Sequence, residues 1–191
     1  MSRIVAEVPA ELTTLSDGAL EIFDAAGSAD WAAASATIRD MEAAWQAYRG
    51  GDVPRLIEPR MNQALAALAG AVRVRMAAEA RGAAIQAARS SLDLQLPYRP
   101  QAEIDLARMD LWAAQLLVDE AAGDAAGVGA DQFAMDYDRD RIRDAVDARD
   151  LTRIDTEIGA IQIAVADQDL PAAAAAAGRL RTTLAGFGPT G

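Results

Sequence analysis

The chain has 191 residues and a mass of 20.0 kDa, a length at which roughly 70% of the extended surface is buried on folding without help from a disulfide or a metal. Its 18 basic residues are all arginine, set against 29 carboxylates for a formal charge of -11, and lysine, histidine and cysteine are absent. That composition removes imidazole bases and ligands, Schiff-base and phosphate-binding lysines, thiolate nucleophiles and iron–sulfur ligation, and it repels a nucleic-acid backbone.

Alanine dominates and no run alternates apolar and polar residues with period two, so the local preference is helix almost throughout. Residues 1–11 read as an unstructured leader. Met1 to Pro9 carries neither a basic start nor a long apolar run, so no signal peptide is visible, and no segment approaches the ~20 apolar residues of a bilayer span. The expected compartment is therefore open: cytoplasmic, or exported with a signal lying outside this sequence.

The first amphipathic stripe, Leu12, Leu15, Ala19, Ile22 and Ala26, ends at Gly27-Ser28-Ala29-Asp30, where Asp30 is placed to cap the next helix. The second stripe, Trp31, Ala34, Ile38, Met41, Trp45 and Tyr48, is the most aromatic in the chain. Covered by a partner helix, it is core; left open, Trp31, Met41, Trp45 and Tyr48 line a groove for an apolar ligand or a partner helix. A corner at Gly50-Gly51-Asp52-Val53-Pro54 follows. Folding there brings Met41 level with Met61, and two thioethers beside Trp45 are a candidate Cu(I) site, set against the plainer role of methionine as a filler of bundle cores.

From Pro54 to about Ser91 the pattern reads as one segment of about 55 Å at 1.5 Å per residue, with a kink or break expected at Gly82. Residues 93–100, ending Pro97-Tyr98-Arg99-Pro100, form the one clear non-helical linker, since each proline disfavours helix at the residue before it. Tyr98 and Arg99 there are read as a docking loop or as a clamp over the bundle end. The following helix, Ile104 to Ala121, has the widest apolar face and carries Trp112, which joins the groove candidates.

Beyond the corner Gly123-Asp124, residues 136–147 place acids at positions one, three, five, nine and twelve of a calcium-loop pattern: Asp136, Asp138, Asp140, Asp144 and Asp147. Position six, which needs glycine, is Arg141, and position twelve is the shorter Asp147 rather than glutamate. An exposed helical face on which Asp136, Asp140, Asp144 and Asp147 recur at helical spacing and pair with Arg139, Arg143 and their neighbours is the alternative account. The last two stripes, Leu151 to Val165 and Leu170 to Phe187, are parted by Gln168-Asp169-Leu170-Pro171.

The expected fold is an all-α, single-domain antiparallel bundle of six or seven helices over residues 12–187, in two halves joined by the 93–100 linker. A short α-solenoid of helical hairpins is the alternative. The expected function is a non-catalytic, cofactor-free binding or protein-interaction module with an acidic surface, taking another protein or a small apolar ligand. The alternative is a metal-binding bundle with a storage or carrier role, using Asp136, Asp138, Asp140 and Asp144 or Met41 and Met61. Stripes left over from intramolecular pairing would drive homo-oligomerisation.

Overall fold

A computed structural model describes residues 7–51 and 53–187. Among these residues the fold is all-α, with eight helices and no strand. The expected count was six or seven. They are α1 (Ala10–Gly27), α2 (Trp31–Tyr48), α3 (Ile57–Val74), α4 (Ala77–Gln95), α5 (Gln101–Ala121), α6 (Ala125–Ile142), α7 (Ala148–Ala166) and α8 (Leu170–Ala185). Helix begins at Ala10, within the stretch 1–11 expected to be a leader; the first six of those residues, like Asp52 of the 50–54 corner, lie outside the described residues.

The extra helix comes from the third segment, which does break, but not at Gly82. Arg75 takes the left-handed conformation (φ 60°, ψ 44°) and ends α3, and Met76 opens α4. Gly82 lies inside α4, where an added Cβ would meet nothing within 4 Å. The helix also runs to Gln95, further into the expected linker.

The chain divides into two compact units at Pro100. In the first, α1 packs beside α2 and α4, and α3 beside α4 and α2, closing a ring of four antiparallel helices. Its core holds Leu12, Leu15, Ile22, Met41, Trp45, Met61 and Leu68. Ser91 Oγ donates to the Leu12 carbonyl at 2.9 Å, and the buried Gln95 Nε2 donates to Ser16 Oγ at 3.3 Å, which fixes the register of α4 on α1. In the second unit α5 packs beside α6 and α8, and α7 beside α8 and α6. Arg139 clasps Asp155 through two hydrogen bonds of 2.6 and 2.7 Å, and Arg181 reaches Asp110 at 3.0 Å. Forked guanidinium–carboxylate pairs of this kind fix geometry as well as adding energy.

One corner recurs four times. Ala29, Arg75, Gly123 and Gln168 each have positive φ, and the next residue donates its N–H five residues back, closing the helix just ended. Three times that next residue is an aspartate, Asp30, Asp124 or Asp169, whose carboxylate accepts the N–H three residues on and so caps the following helix. At the second corner it is Met76, which has no capping side chain. The chain is thus four helical hairpins repeated roughly every 46 residues, within the range of helical-repeat periods.

Candidate functional site

In the first unit α2 and α3, joined by the long connection 49–56, touch over a shorter stretch than the other neighbouring pairs. A groove of about 440 Å³ opens between the start of α2 and the end of α3. Ile38 and Val72, both nearly buried, lie at its base, and the half-buried Trp31 forms one wall. Ser35 lines it too, with its hydroxyl donating to the Trp31 carbonyl at 2.6 Å. Arg73 and Arg75 stand at the mouth, both exposed, and among the described residues neither makes an ion pair. Among the described residues no carboxylate lines the groove, in a chain where acids outnumber arginines 29 to 18. Asp30, next to Trp31 in sequence, accepts the Ala33 N–H at 3.0 Å and caps α2. Beside the groove Val74 and Met76 are exposed at 57% and 46%, so apolar surface continues past its rim. A second cavity of about 400 Å³ between α3 and α4 has a floor of alanines with Arg60, Gln63 and Gln86 around it, and offers no aromatic surface.

Of the stripe's four groove candidates, Trp31, Met41, Trp45 and Tyr48, only Trp31 is among the described residues that line the groove. Met41 is fully buried against Gly18 of α1, and Trp45, 2% exposed, donates its indole N–H to Asn62 at 2.7 Å. Tyr48 stacks on Trp45 at 6.3 Å and shares a hydrogen bond with Tyr98; burial first, then that bond, pushes the Tyr48 hydroxyl up to about 12. Arg99 donates to Gln95 Oε1 at 3.1 Å beside them. Trp31 and Tyr48 sit at opposite ends of α2, about 25 Å apart at 1.5 Å per residue, so the stripe cannot serve as one site. Met61 is likewise fully buried on α3.

The second unit holds a different cluster. Asp105 on α5, 1% exposed, accepts from Gln101 Nε2 at 2.8 Å, Arg108 Nη1 at 3.2 Å and Arg141 Nε at 2.9 Å. Asp138 on α6, 4% exposed, accepts the Trp112 indole N–H at 3.1 Å. Burial, and then the neighbouring Asp105 charge, push the Asp138 carboxyl up to about 6, against the pull of Arg108 and Arg141. Two of the sequence candidates, Trp112 and Asp138, are therefore brought into one hydrogen bond. The other acids disperse: Asp136 accepts from Gln132 and Gln162, Asp140 pairs with Arg139 and Arg143 at the surface, and Asp144 is exposed beyond the end of α6. Among the described residues no three acids converge on a point that could hold a metal ion.

Helix α6 carries this cluster because it is inverted. Val128, Asp131, Met135, Asp138 and Ile142 follow the core-facing spacing and are buried, two aspartates among them, while Phe133 and Tyr137 point outward at 74% and 60% exposure. Arg73, Arg75, Asp105 and Asp131 escape a reading of the sequence. The signal that marks the buried acids is the seven-residue spacing of Val128, Met135 and Ile142, which leaves positions 131 and 138 on the same face.

Comparison with family models, with characterised proteins and with solved structures finds no match to this chain. No helix among the described residues is long and apolar enough to cross a membrane.

Proposed function

We propose that the protein is a non-catalytic binding module that takes the apolar body of a small ligand into the groove between α2 and α3. The observation that carries this reading is Trp31, a large aromatic wall left half open over the apolar base of Ile38 and Val72, while Met41 and Trp45 of the same stripe are buried. The groove's volume of about 440 Å³ lies in the range of small-molecule pockets, and its lining combines the apolar Trp31, Ile38, Ala69 and Val72 with the polar Ser35, Arg73 and Arg75. Binding rather than turnover follows from the residues lining it. Guanidinium groups stay protonated and supply no base, and the Ser35 hydroxyl is committed to its own helix backbone. The acidic surface keeps nucleic acid away and, at -11, favours a monodisperse chain.

The test is a titration with naphthalene probes, followed through the three tryptophan indole N–H resonances. A saturable shift of the Trp31 signal, with Trp45 and Trp112 unmoved, is the expected result. If no probe moves Trp31 saturably, the groove is not a binding site. The metal-binding alternative has no group of three convergent acids among the described residues, and a thermal midpoint unmoved by Ca²⁺, Mn²⁺ or Cu(I) is expected, since a ligand specific for the native state raises it.

A further inference from the structure

Building on the groove reading, we infer that the ligand is a small organic anion: a carboxylate with an aromatic or aliphatic body. The body lies on Trp31 above Ile38 and Val72, and the carboxylate sits between Arg73 and Arg75. Charge decides the class. The chain as a whole repels anions, so an approach to its surface is favourable only where the local field reverses. Here two guanidiniums line one cavity with no acid among the described residues lining it, whereas Arg139, Arg141, Arg143, Arg153, Arg179 and Arg181 are held by carboxylates. Planar guanidinium groups match the two oxygens of a carboxylate, and such charge-assisted hydrogen bonds are roughly twice as strong as neutral ones. A cationic ligand would meet two like charges at the mouth. A neutral one would leave both arginines to water and gain only from the wall and base.

The experiment titrates the full chain with 2-naphthoate, 2-naphthylmethanol and 2-naphthylmethylammonium, reading the Trp31 indole shift, with Trp45 as the check that the fold is intact. Naphthoate should bind about tenfold tighter than the alcohol, and the ammonium more weakly than either. Arg73→Gln and Arg75→Gln should each remove part of that preference, and the double variant should bring naphthoate down to the alcohol. Both arginines are exposed, so the variants keep the fold. In about 1 M salt, where the screening length is near 3 Å, the preference should shrink towards the alcohol. Equal affinity for the three probes would overturn the anionic ligand and leave the groove standing. Preference for naphthoate surviving in the double variant would overturn the assignment to Arg73 and Arg75. Absence of any saturable Trp31 shift would overturn groove and ligand together.

Discussion

Replacing Asp138 by asparagine should stabilise the second unit at neutral pH, although it removes a carboxylate flanked by two arginines. In the folded chain the Asp138 carboxyl keeps its proton to about pH 6, whereas its ordinary value is 3.8. Between those values the native state binds more protons than the unfolded one, so this group's contribution to stability falls as pH rises through the window. One pKa unit corresponds to about 1.4 kcal/mol, which puts an upper bound of about 3 kcal/mol on the loss complete above the window. Residual access of solvent and mobile counter-charges screens part of it, so about 1–2 kcal/mol is expected. Asparagine resembles the protonated acid: it keeps an oxygen for the Trp112 indole N–H and never ionises. The assay is urea unfolding of parent and variant at about pH 4 and about pH 7.5, where taking the difference cancels the other carboxylates. Trp112 reports on this unit because Trp31 and Trp45 lie in the other. The two proteins should match at the acid end and diverge at the neutral end, with the variant the more stable. A variant less stable than its parent at pH 7.5 would refute the reasoning, because it would mean that Arg108 and Arg141 hold Asp138 ionised and that burial does not dominate.

Gly18→Ala should destabilise the first unit, since the new Cβ would stand 2.8 Å from Met41 Cγ and 3.1 Å from Thr37 Cγ2; overpacking of about 1–3 kcal/mol outweighs the roughly 1 kcal/mol gained in helix propensity. Gly82→Ala meets no atom within 4 Å and should raise stability by about 0.5–1 kcal/mol in the same thermal melts; a loss there would mean that the glycine serves the break the sequence suggested. Met76→Asp supplies the cap that the second corner lacks and should add about 0.5–1 kcal/mol. Arg75→Gly relieves a left-handed arginine worth about 1 kcal/mol, so stability should rise while naphthoate affinity falls; both falling together would tie Arg75 to the fold instead of to a ligand.

The hairpin corners divide cleanly by what their residue types announce. Asp30, Asp124 and Asp169 each cap a helix, and each is visible beforehand as a short acceptor in front of an apolar stripe. The corner at residues 75 and 76 is invisible, since neither arginine nor methionine favours a turn, while Gly82 looks like a breaker and is not one. Glycine in a helix costs propensity without forcing a bend, and the neighbours of α4 hold it straight. In the same way Asp136, Asp140 and Asp144 read as a solvated face, while Asp138, off that face, lies on a buried row. Charge usually outranks periodicity when a face is assigned, and here packing of Val128, Met135 and Ile142 outranks charge. The groove joins residues some forty apart, Trp31 and Arg73, whose meeting depends on how α2 lies along α3. No single stripe contains that information, which is why Trp31 stands among the candidates and the arginines do not.

The second corner departs from the other three in a way that bears on the groove. Left-handed φ alone says little there, because Ala29 and Gln168 adopt it in the same hydrogen-bonded frame. What differs is that the capping aspartate is missing, its place taken by a half-exposed methionine, and that the left-handed residue is an arginine. An aspartate at position 76 would improve α4 but would set a carboxylate beside Arg75, offsetting the positive field at the groove mouth. A glycine at 75 would relax the turn and remove the guanidinium altogether. Both changes that local stability favours are thus changes that an anion site opposes, and natural chains keep such local violations where a site requires them.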